Sequence, residues 1–441
     1  MSAAPRHAEE RIGARRLLAV AIPATVASTL EPLAGLVDTA FLGRLDSRWL
    51  AAMAVCVAVL SAFTWVFNFL VNGVTAQVAQ AVGRGDREEL GATILLALAV
   101  AVGFGVATGA LLVVSYPLLV GTVMGADASL TALARPYFLL RAAGMPLVLV
   151  ATALTGILRG LQRVGLSLLV GALITFGNVV LTYLLLFVWR LGLTGAAIGT
   201  VGAFALGVAA GLVLLVVLAR DAGLSWRTRI RRRHVFAFGA EASNLVVRTG
   251  ALLAAFFLST AVATRLGEAR LAAHQIGLQL WLFSSFLIDG LAIAGNVLGG
   301  RLIGAGAVEE ERAVGRRLLI AGTVIGAGFA LVYGLAREPI AALFTRDPQV
   351  LDPLRATWPV IALTQPLNAL VYVWDGLLFG RRDFAYLRRH MLIGVLLVFV
   401  PLLLALGWAR GSLVGVWLAL VGLNGYRAAS CGARWLSRAH R

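Results

Sequence analysis

Leu90-Gly-Ala-Thr-Ile-Leu-Leu-Ala-Leu-Ala-Val-Ala-Val-Gly-Phe-Gly-Val-Ala-Thr-Gly-Ala-Leu-Leu-Val-Val114 is a run of 25 residues without a charge. Wound as a helix that rises about 1.5 Å per residue, it is long enough to cross a hydrocarbon core about 30 Å thick. A helix in an aqueous core rarely needs so unbroken a run. Comparable stretches lie at 166–188, 196–219, 318–335 and 391–408. Hydrophobic residues make up 60% of the 441, charged residues only 13%, and the mean hydropathy is +0.90. Soluble domains carry roughly 25% charged residues. The sequence therefore predicts an all-α integral membrane protein with twelve transmembrane helices, near 15–43, 49–82, 90–115, 131–158, 166–189, 193–219, 236–265, 270–300, 314–336, 353–380, 390–408 and 412–433. Short amphipathic pieces at 117–124 and 340–344 follow spans three and nine.

The net charge of +17 comes from 38 arginines, and the chain contains no lysine. Most of them fall in connections on one side of the predicted topology: Arg6, Arg11, Arg15 and Arg16, then Arg84 and Arg87, Arg159 and Arg163, the segment 220–233, Arg301, Arg312, Arg316 and Arg317, and Arg381, Arg382, Arg388 and Arg389. Arg427, Arg434, Arg438 and Arg441 read as an extension of the same side. The opposite connections hold far fewer. This bias follows the positive-inside rule, so both termini are expected in the cytoplasm, and the basic patch at 227–233 reads as a topogenic loop facing lipid headgroups rather than a nucleic-acid site. Cys56 and Cys431 both lie in apolar segments and imply neither a disulfide framework nor a metal site. Pro23, Pro32, Glu31 and Asp38 interrupt the first apolar stretch, which therefore reads as an uncleaved span rather than a signal peptide.

The chain also repeats itself. Arg44-Leu45 and Leu50-Ala-Ala52 recur 221 residues later as Arg265-Leu266 and Leu271-Ala-Ala273. Phe69-Leu-Val-Asn-Gly73 recurs at an offset of 217 as Phe286-Leu-Ile-Asp-Gly290, a slip of about one helical turn. Gly83-Arg-Gly85 then matches Gly304-Ala-Gly306 at 221, and both read as helix terminators. Pro146, Gly156 and Gly160 match Pro366, Gly376 and Gly380, and Gly195 matches Gly415, at 220. Collinear matches over most of the chain predict an N-terminal six-helix lobe (1–219), a basic cytoplasmic linker (220–234) and a C-terminal six-helix lobe (235–441). Six spans per repeat leave both lobes in the same orientation, related by a pseudo-two-fold axis along the membrane normal.

Function is sought where that symmetry breaks. Asp38 stands in mid-span, and its counterpart is Ser259, although the neighbouring Thr39 and Thr260 are retained. A carboxylate at that depth costs about 2.5–3.5 kcal/mol on insertion scales and is a functional candidate by default. The alternative is a carboxyl satisfied by nearby hydroxyls. Glu31 lies seven residues earlier on roughly the same face, as an accessory proton carrier or a packing residue. Pro23 and Pro32 are candidate helix bends. Asn178 and Thr182 share a face of span five. With Thr200 on span six, Tyr137 and Thr155 on span four, and Asn68, Asn72, Gln77 and Gln80 on span two, they could converge on Asp38, or serve as ordinary interhelical hydrogen bonders. In the second half, Arg248, Asp289 and Asp375 read as a polar network that pairs one buried arginine with two carboxylates, and ion coupling through Asp375 stays open.

Glu31-Pro-Leu-Ala-Gly-Leu-Val-Asp38-Thr-Ala-Phe-Leu-Gly43 resembles the first-span signature of MATE (multidrug and toxic compound extrusion) transporters, most closely their DinF-like branch. Phe69-Leu-Val-Asn-Gly-Val-Thr-Ala-Gln77, Asn244-Leu-Val-Val-Arg248-Thr, Phe286-Leu-Ile-Asp289-Gly and Val373-Trp-Asp375-Gly are similar to that branch as well. The resemblance implies two six-helix lobes in a V that export lipophilic, often cationic compounds against an inward proton or sodium gradient. It implies a monomer in the bacterial cytoplasmic membrane whose partners are small-molecule drugs or metabolites and membrane lipids, with no bound cofactor or metal and no enzymatic activity. By similarity, Asp38 is the coupling carboxylate, Pro23 the bend point of span one, and Asn178 and Thr200 pocket residues. Some relatives place a second acid where this chain has Thr182, which argues against a two-carboxylate sodium site. Two other classes remain to be weighed. A flippase for a lipid-linked precursor is expected to show a cationic central cavity, and a membrane-embedded transferase needs paired acidic motifs for Mg²⁺ that the sequence lacks.

Overall fold

The structure, a computed structural model, describes residues 13–45, 47–67, 69–221, 228 and 230–437. The described residues form helices and connections, with no strand among them. The first half contains α1 (Ala14–Leu45), α2 (Ser47–Val66), α3 (Phe69–Arg84), α4 (Arg87–Tyr116), α5 (Ala128–Ala143), α6 (Met145–Gly160), α7 (Val164–Tyr183) and α8 (Gly192–Asp221). The second contains α9 (Arg232–Arg265), α10 (Glu268–Gly304), α11 (Val308–Leu335), α12 (Arg337–Phe344), α13 (Pro348–Leu363), α14 (Gln365–Gly380), α15 (Phe384–Ile393), α16 (Val400–Leu402) and α17 (Leu413–Leu436). Wider π-helical turns extend α4 (Pro117–Val123) and α7 (Leu184–Val188) and flank α16 (Gly394–Phe399, Leu403–Trp408).

These elements give the twelve expected spans. α2 with α3, α5 with α6, α13 with α14, and α15 with α16 each make one. By length and apolarity eight helices qualify as membrane-crossing among the described residues, or nine with the α5–α6 pair, which bends by 43°. The other three spans, α1, α13–α14 and α17, carry Asp38, Asp375 and Arg427.

On α4, Leu90, Ile94, Ala97, Ala101, Gly105, Thr108 and Leu112 are buried at helical spacing. Its other face exposes Phe104, Val106, Leu111 and Val114, as a helix does when lipid rather than water surrounds it. The repeat is visible in the packing. A Cβ added at Gly156 of α6 would lie 2.9 Å from the Val71 carbonyl oxygen on α3, and one at Gly376 of α14 would lie 2.1 Å from that of Ala292 on α10. Each half thus needs a bare Cα at the same helix crossing. Residue 71 therefore corresponds to residue 292, an offset of 221, so the packing does not keep the offset of 217 read for 69–73. Just before this crossing the first half divides into α2 and α3, while the second continues as one 37-residue helix. α1 passes through both Pro23 and Pro32 without interruption, so neither proline ends it in this conformation. A proline removes one ladder hydrogen bond, and membrane helices tolerate that loss when neighbours supply partners.

The lobes meet at the arginine-rich end. There α3 crosses the last turns of α10, and the contact is made twice. A Cβ at Gly83 would lie 2.1 Å from the Arg301 carbonyl oxygen, and one at Gly304 would lie 2.2 Å from that of Gln80. Both offsets are the repeat spacing of 221, so the crossing sits on the pseudo-two-fold axis. Polar contacts surround it. Gln80 Nε2 donates to the Gly380 carbonyl at 2.8 Å, Arg301 donates to Gln162 at 2.7 Å, and Arg231 pairs with Glu88 at 3.1 Å. Gln77 donates to Glu241 at 2.8 Å, and Glu241 also pairs with Arg382. Gln162 (φ 62°) and Arg382 (φ 60°) are equivalent turn residues held in the left-handed region, a strained placement for two side chains of this contact, Gln162 bonded to Arg301 of the other lobe and Arg382 holding Glu241 within its own.

Candidate functional site

The first-lobe pocket is built on four elements. Asp38 lies on α1, Asn178 and Thr182 on successive turns of α7, Thr200 on α8, and Tyr137 on α5 just before the bend at Gly144. The Asp38 carboxyl accepts a hydrogen bond from Asn178 and faces the Arg141 guanidinium. Asn178 Nδ2 donates to Thr200 Oγ1 at 2.9 Å, and that hydroxyl donates to the Ala196 carbonyl at 3.0 Å. Tyr137 is 1% exposed and lies within the field of both Asp38 and Arg141, which hydrogen-bonds to it. Asp38 Oδ1, Asn178 Oδ1 and Thr182 Oγ1 are buried without a partner. The cluster is therefore polar and rich in acceptors.

Other expectations fare differently. Gln77 does not reach Asp38, because its amide is taken by Glu241 in the lobe contact. Gln80 and Asn72 also face the other lobe, with the Asn72 carbonyl accepting from Asn296 at 3.1 Å. The side chains of Glu31 and Pro32, and residue Asn68 as a whole, lie outside the described residues. Pro23 is half-buried inside α1.

The second-lobe network divides in two. Arg248 on α9 pairs with Asp375 on α14, but the third member is Arg427 of α17, 2.6 Å from the same carboxylate oxygen. Arg427 is 3% exposed and belongs to the interior, not to the arginine-rich side to which its position near the C-terminus assigned it. Asp289 stands apart. It accepts from Ser28 of α1 at 3.1 Å and lies within the field of Arg159, so this carboxylate ties the two lobes together. Sequence reading missed Arg141, Arg159 and Arg427 as site residues. The available signal was their position inside or at the end of predicted spans 131–158 and 412–433, where an arginine is as costly as an acid.

Two pseudo-symmetric six-helix lobes, closed on each other at one end and each holding a buried polar cluster, define a multi-pass membrane protein of duplicated design. The MatE family model matches residues 23–184 and 250–404. Protein DETOXIFICATION 44, chloroplastic, of Arabidopsis thaliana is 32% identical over 92% of this chain and 78% of its own length. DNA damage-inducible protein F of Escherichia coli is 28% identical over 94% and 90%. A solved structure of the outward-facing conformation of a multidrug resistance MATE family transporter superposes with a TM-score of 0.85 at 19% identity, over 95% of this chain and 94% of that one. The chain belongs to the MATE family of multidrug efflux transporters.

Proposed function

We propose that the chain is a secondary active antiporter that exports lipophilic, often cationic compounds in exchange for protons by alternating access. Its setting is the bacterial cytoplasmic membrane, and both termini face the cytoplasm. The observation that carries this reading is the placement of Asp38, a carboxylate with one orphaned oxygen, beside an arginine and on the helix that also touches the other lobe. With Asp38 ionised, Arg141 roughly balances it and a lipophilic cation can enter. A proton on Asp38 leaves Arg141 uncompensated, so the pocket turns positive and repels the cation. α1 transmits the change. About 15 Å along the helix from Asp38, Ser28 donates to Asp289 of the second lobe and Thr25 donates to the Leu287 carbonyl. The arginine-rich end is closed in this conformation, which is the state expected to release cargo to the opposite side. One inward proton supplies roughly 2.3 kcal/mol per 100 mV, about a fifty-fold cargo gradient.

The test is Asp38→Asn in proteoliposomes loaded with a lipophilic cationic dye. The variant should fold and reconstitute, yet lose dye transport and dye-stimulated proton release. Undiminished proton-coupled transport by folded Asp38→Asn sinks the mechanism. Transport that follows a sodium gradient rather than a proton gradient replaces the coupling ion.

A further inference from the structure

The two lobes present different chemistry to lipid at one equivalent place, the start of α7 and of α15. The turn residues Gln162 and Arg382 stand just before these helices at an offset of 220, with φ 62° and 60°. From there Val164-Gly-Leu-Ser-Leu-Leu169 and Phe384-Ala-Tyr-Leu-Arg-Arg389 run through the same order of buried, half-buried and exposed positions. Leu166, Leu168 and Leu169 therefore correspond to Tyr386, Arg388 and Arg389. At the same offset Leu206 and Leu214 of α8 correspond to Tyr426 and Arg434 of α17. Leu169 is 47% and Leu206 55% exposed, as side chains against acyl chains are. An axis along the membrane normal keeps equivalent residues at one depth. The second lobe thus turns arginine and tyrosine toward lipid where the first turns leucine.

The neighbouring arginines are neutralised. Arg381 pairs with buried Glu311 at 2.6 Å, Arg382 with Glu241, and Arg434 with Asp383 at 3.1 Å. Arg388 and Arg389 have no carboxylate partner among the described residues. Arg389 is nonetheless held in place. Its guanidinium lies 5.8 Å from the centre of the Tyr386 ring, on which His390 stacks at 4.0 Å. Arg389 Nη2 donates to His390 Nε2 at 3.3 Å, so that imidazole carries its proton on Nδ1 and donates it to the Tyr426 hydroxyl at 2.8 Å. The Tyr426 O–H is left to donate elsewhere. α15 starts at the arginine-rich end, and Cα–Cβ bonds tilt toward a helix N-terminus. Both arginines therefore lean toward the headgroups of that leaflet and away from the hydrocarbon.

We propose that the face of α15 and α17 formed by Arg388, Arg389 and Tyr426 binds the phosphate of an anionic phospholipid in the leaflet at the arginine-rich end. The equivalent leucines identify what covers the face as lipid, and the two unpaired guanidiniums select its charge. Arg389 takes two phosphate oxygens, Arg388 adds a second positive charge, and Tyr426 adds a neutral donor. A zwitterionic headgroup carries its own ammonium and gains less. The site is separate from the coupling proposed at Asp38 and binds whether or not that coupling holds.

The experiment is native mass spectrometry of the full-length protein, purified in detergent and titrated with phosphatidylglycerol, phosphatidylcholine of the same acyl chains, or inorganic phosphate. The wild type should retain phosphatidylglycerol more tightly than phosphatidylcholine, and inorganic phosphate should not displace it. The double substitution Arg388→Leu and Arg389→Leu installs the residues that the first lobe carries at 168 and 169. It should weaken phosphatidylglycerol about tenfold or more, the usual weight of hydrogen bonds to a charged group, and leave phosphatidylcholine unchanged. Arg389→Gln, a milder change, should act in the same direction. Arg87→Leu, exposed at the same end, should change nothing, and thermal unfolding checks that each variant is folded. Equal retention of the two lipids by the wild type, no loss of preference in whichever of the two α15 variants is folded, displacement by inorganic phosphate, or a wild-type dimer that the leucine substitutions split overturns the assignment.

Discussion

Replacing Gly304 by alanine tests how the arginine-rich end stays shut. The added methyl lies 2.2 Å from the Gln80 carbonyl oxygen and 2.8 Å from its Cα. Both are backbone atoms of α3, so no side chain can swing aside. Ordinary contact lies near 3.5 Å, so α3 and α10 must part by about 1.3 Å. Overpacking of this kind costs about 1–3 kcal/mol. The cost falls only on the closed arrangement, because separated lobes leave the methyl free. The ratio of closed to open molecules should therefore drop between about fivefold and about a hundredfold. Spin labels at the exposed positions Arg87→Cys and Glu309→Cys, one on each lobe, report the separation by pulsed electron resonance in a background without Cys56 and Cys431. Gly304→Ala should add a longer distance, and Gly83→Ala, whose methyl lies 2.1 Å from the Arg301 carbonyl oxygen, should add the same one. Gly103→Ala is the control, since nothing lies within 4 Å of its methyl. An unchanged distance distribution in Gly304→Ala, or an equal change in Gly103→Ala, refutes the argument.

Two further outcomes are expected. Glu311→Gln leaves the buried Arg381 charge without its partner and should destabilise the protein by about 3–5 kcal/mol, read as a lower unfolding temperature in detergent, whereas the double substitution of Glu311 and Arg381 by methionine should recover most of the loss. For orientation, Ile230→Cys should resist an impermeant thiol reagent in intact cells and Ala128→Cys should react with it, and the reverse pattern overturns the assignment of termini.

The number of spans and the duplication were legible because they rest on patterns that recur many times. Uncharged runs of about twenty residues have few uses besides crossing lipid, and glycines such as Gly156 and Gly376 recur at one offset because both halves need the same close crossing. Asp38 was legible for the same reason in reverse, as a costly group on only one side of the repeat. The partners of each polar residue were not legible. Gln77 and Asn178 look alike in sequence, both amides among apolar residues, and only the approach of α9 to α3 sends Gln77 to Glu241 rather than to Asp38. Arginine was the most misleading residue. Counting it as a topological marker hid Arg159 and Arg427, two side chains that packing turns inward, and Arg141, well inside span 131–158, went unweighed as a partner of Asp38.

The doubled crossing of α3 and α10 also bears on ancestry. In a two-fold homodimer, one patch serves both partners, so residue i of one subunit meets residue j of the other and the converse holds. Gly83 against residue 301 and Gly304 against residue 80 obey that rule, with the second copy joined to the first by a peptide tether instead of free in the bilayer. Once joined, the two contacts could be inherited and altered separately. One twin has already diverged: where the first copy places the neutral Gln80, the second carries Arg301. Covalent fusion thus kept the geometry of self-recognition at the axis and released the two interiors to diverge, with Asp38 facing Arg141 in one lobe and Asp375 held between Arg248 and Arg427 in the other.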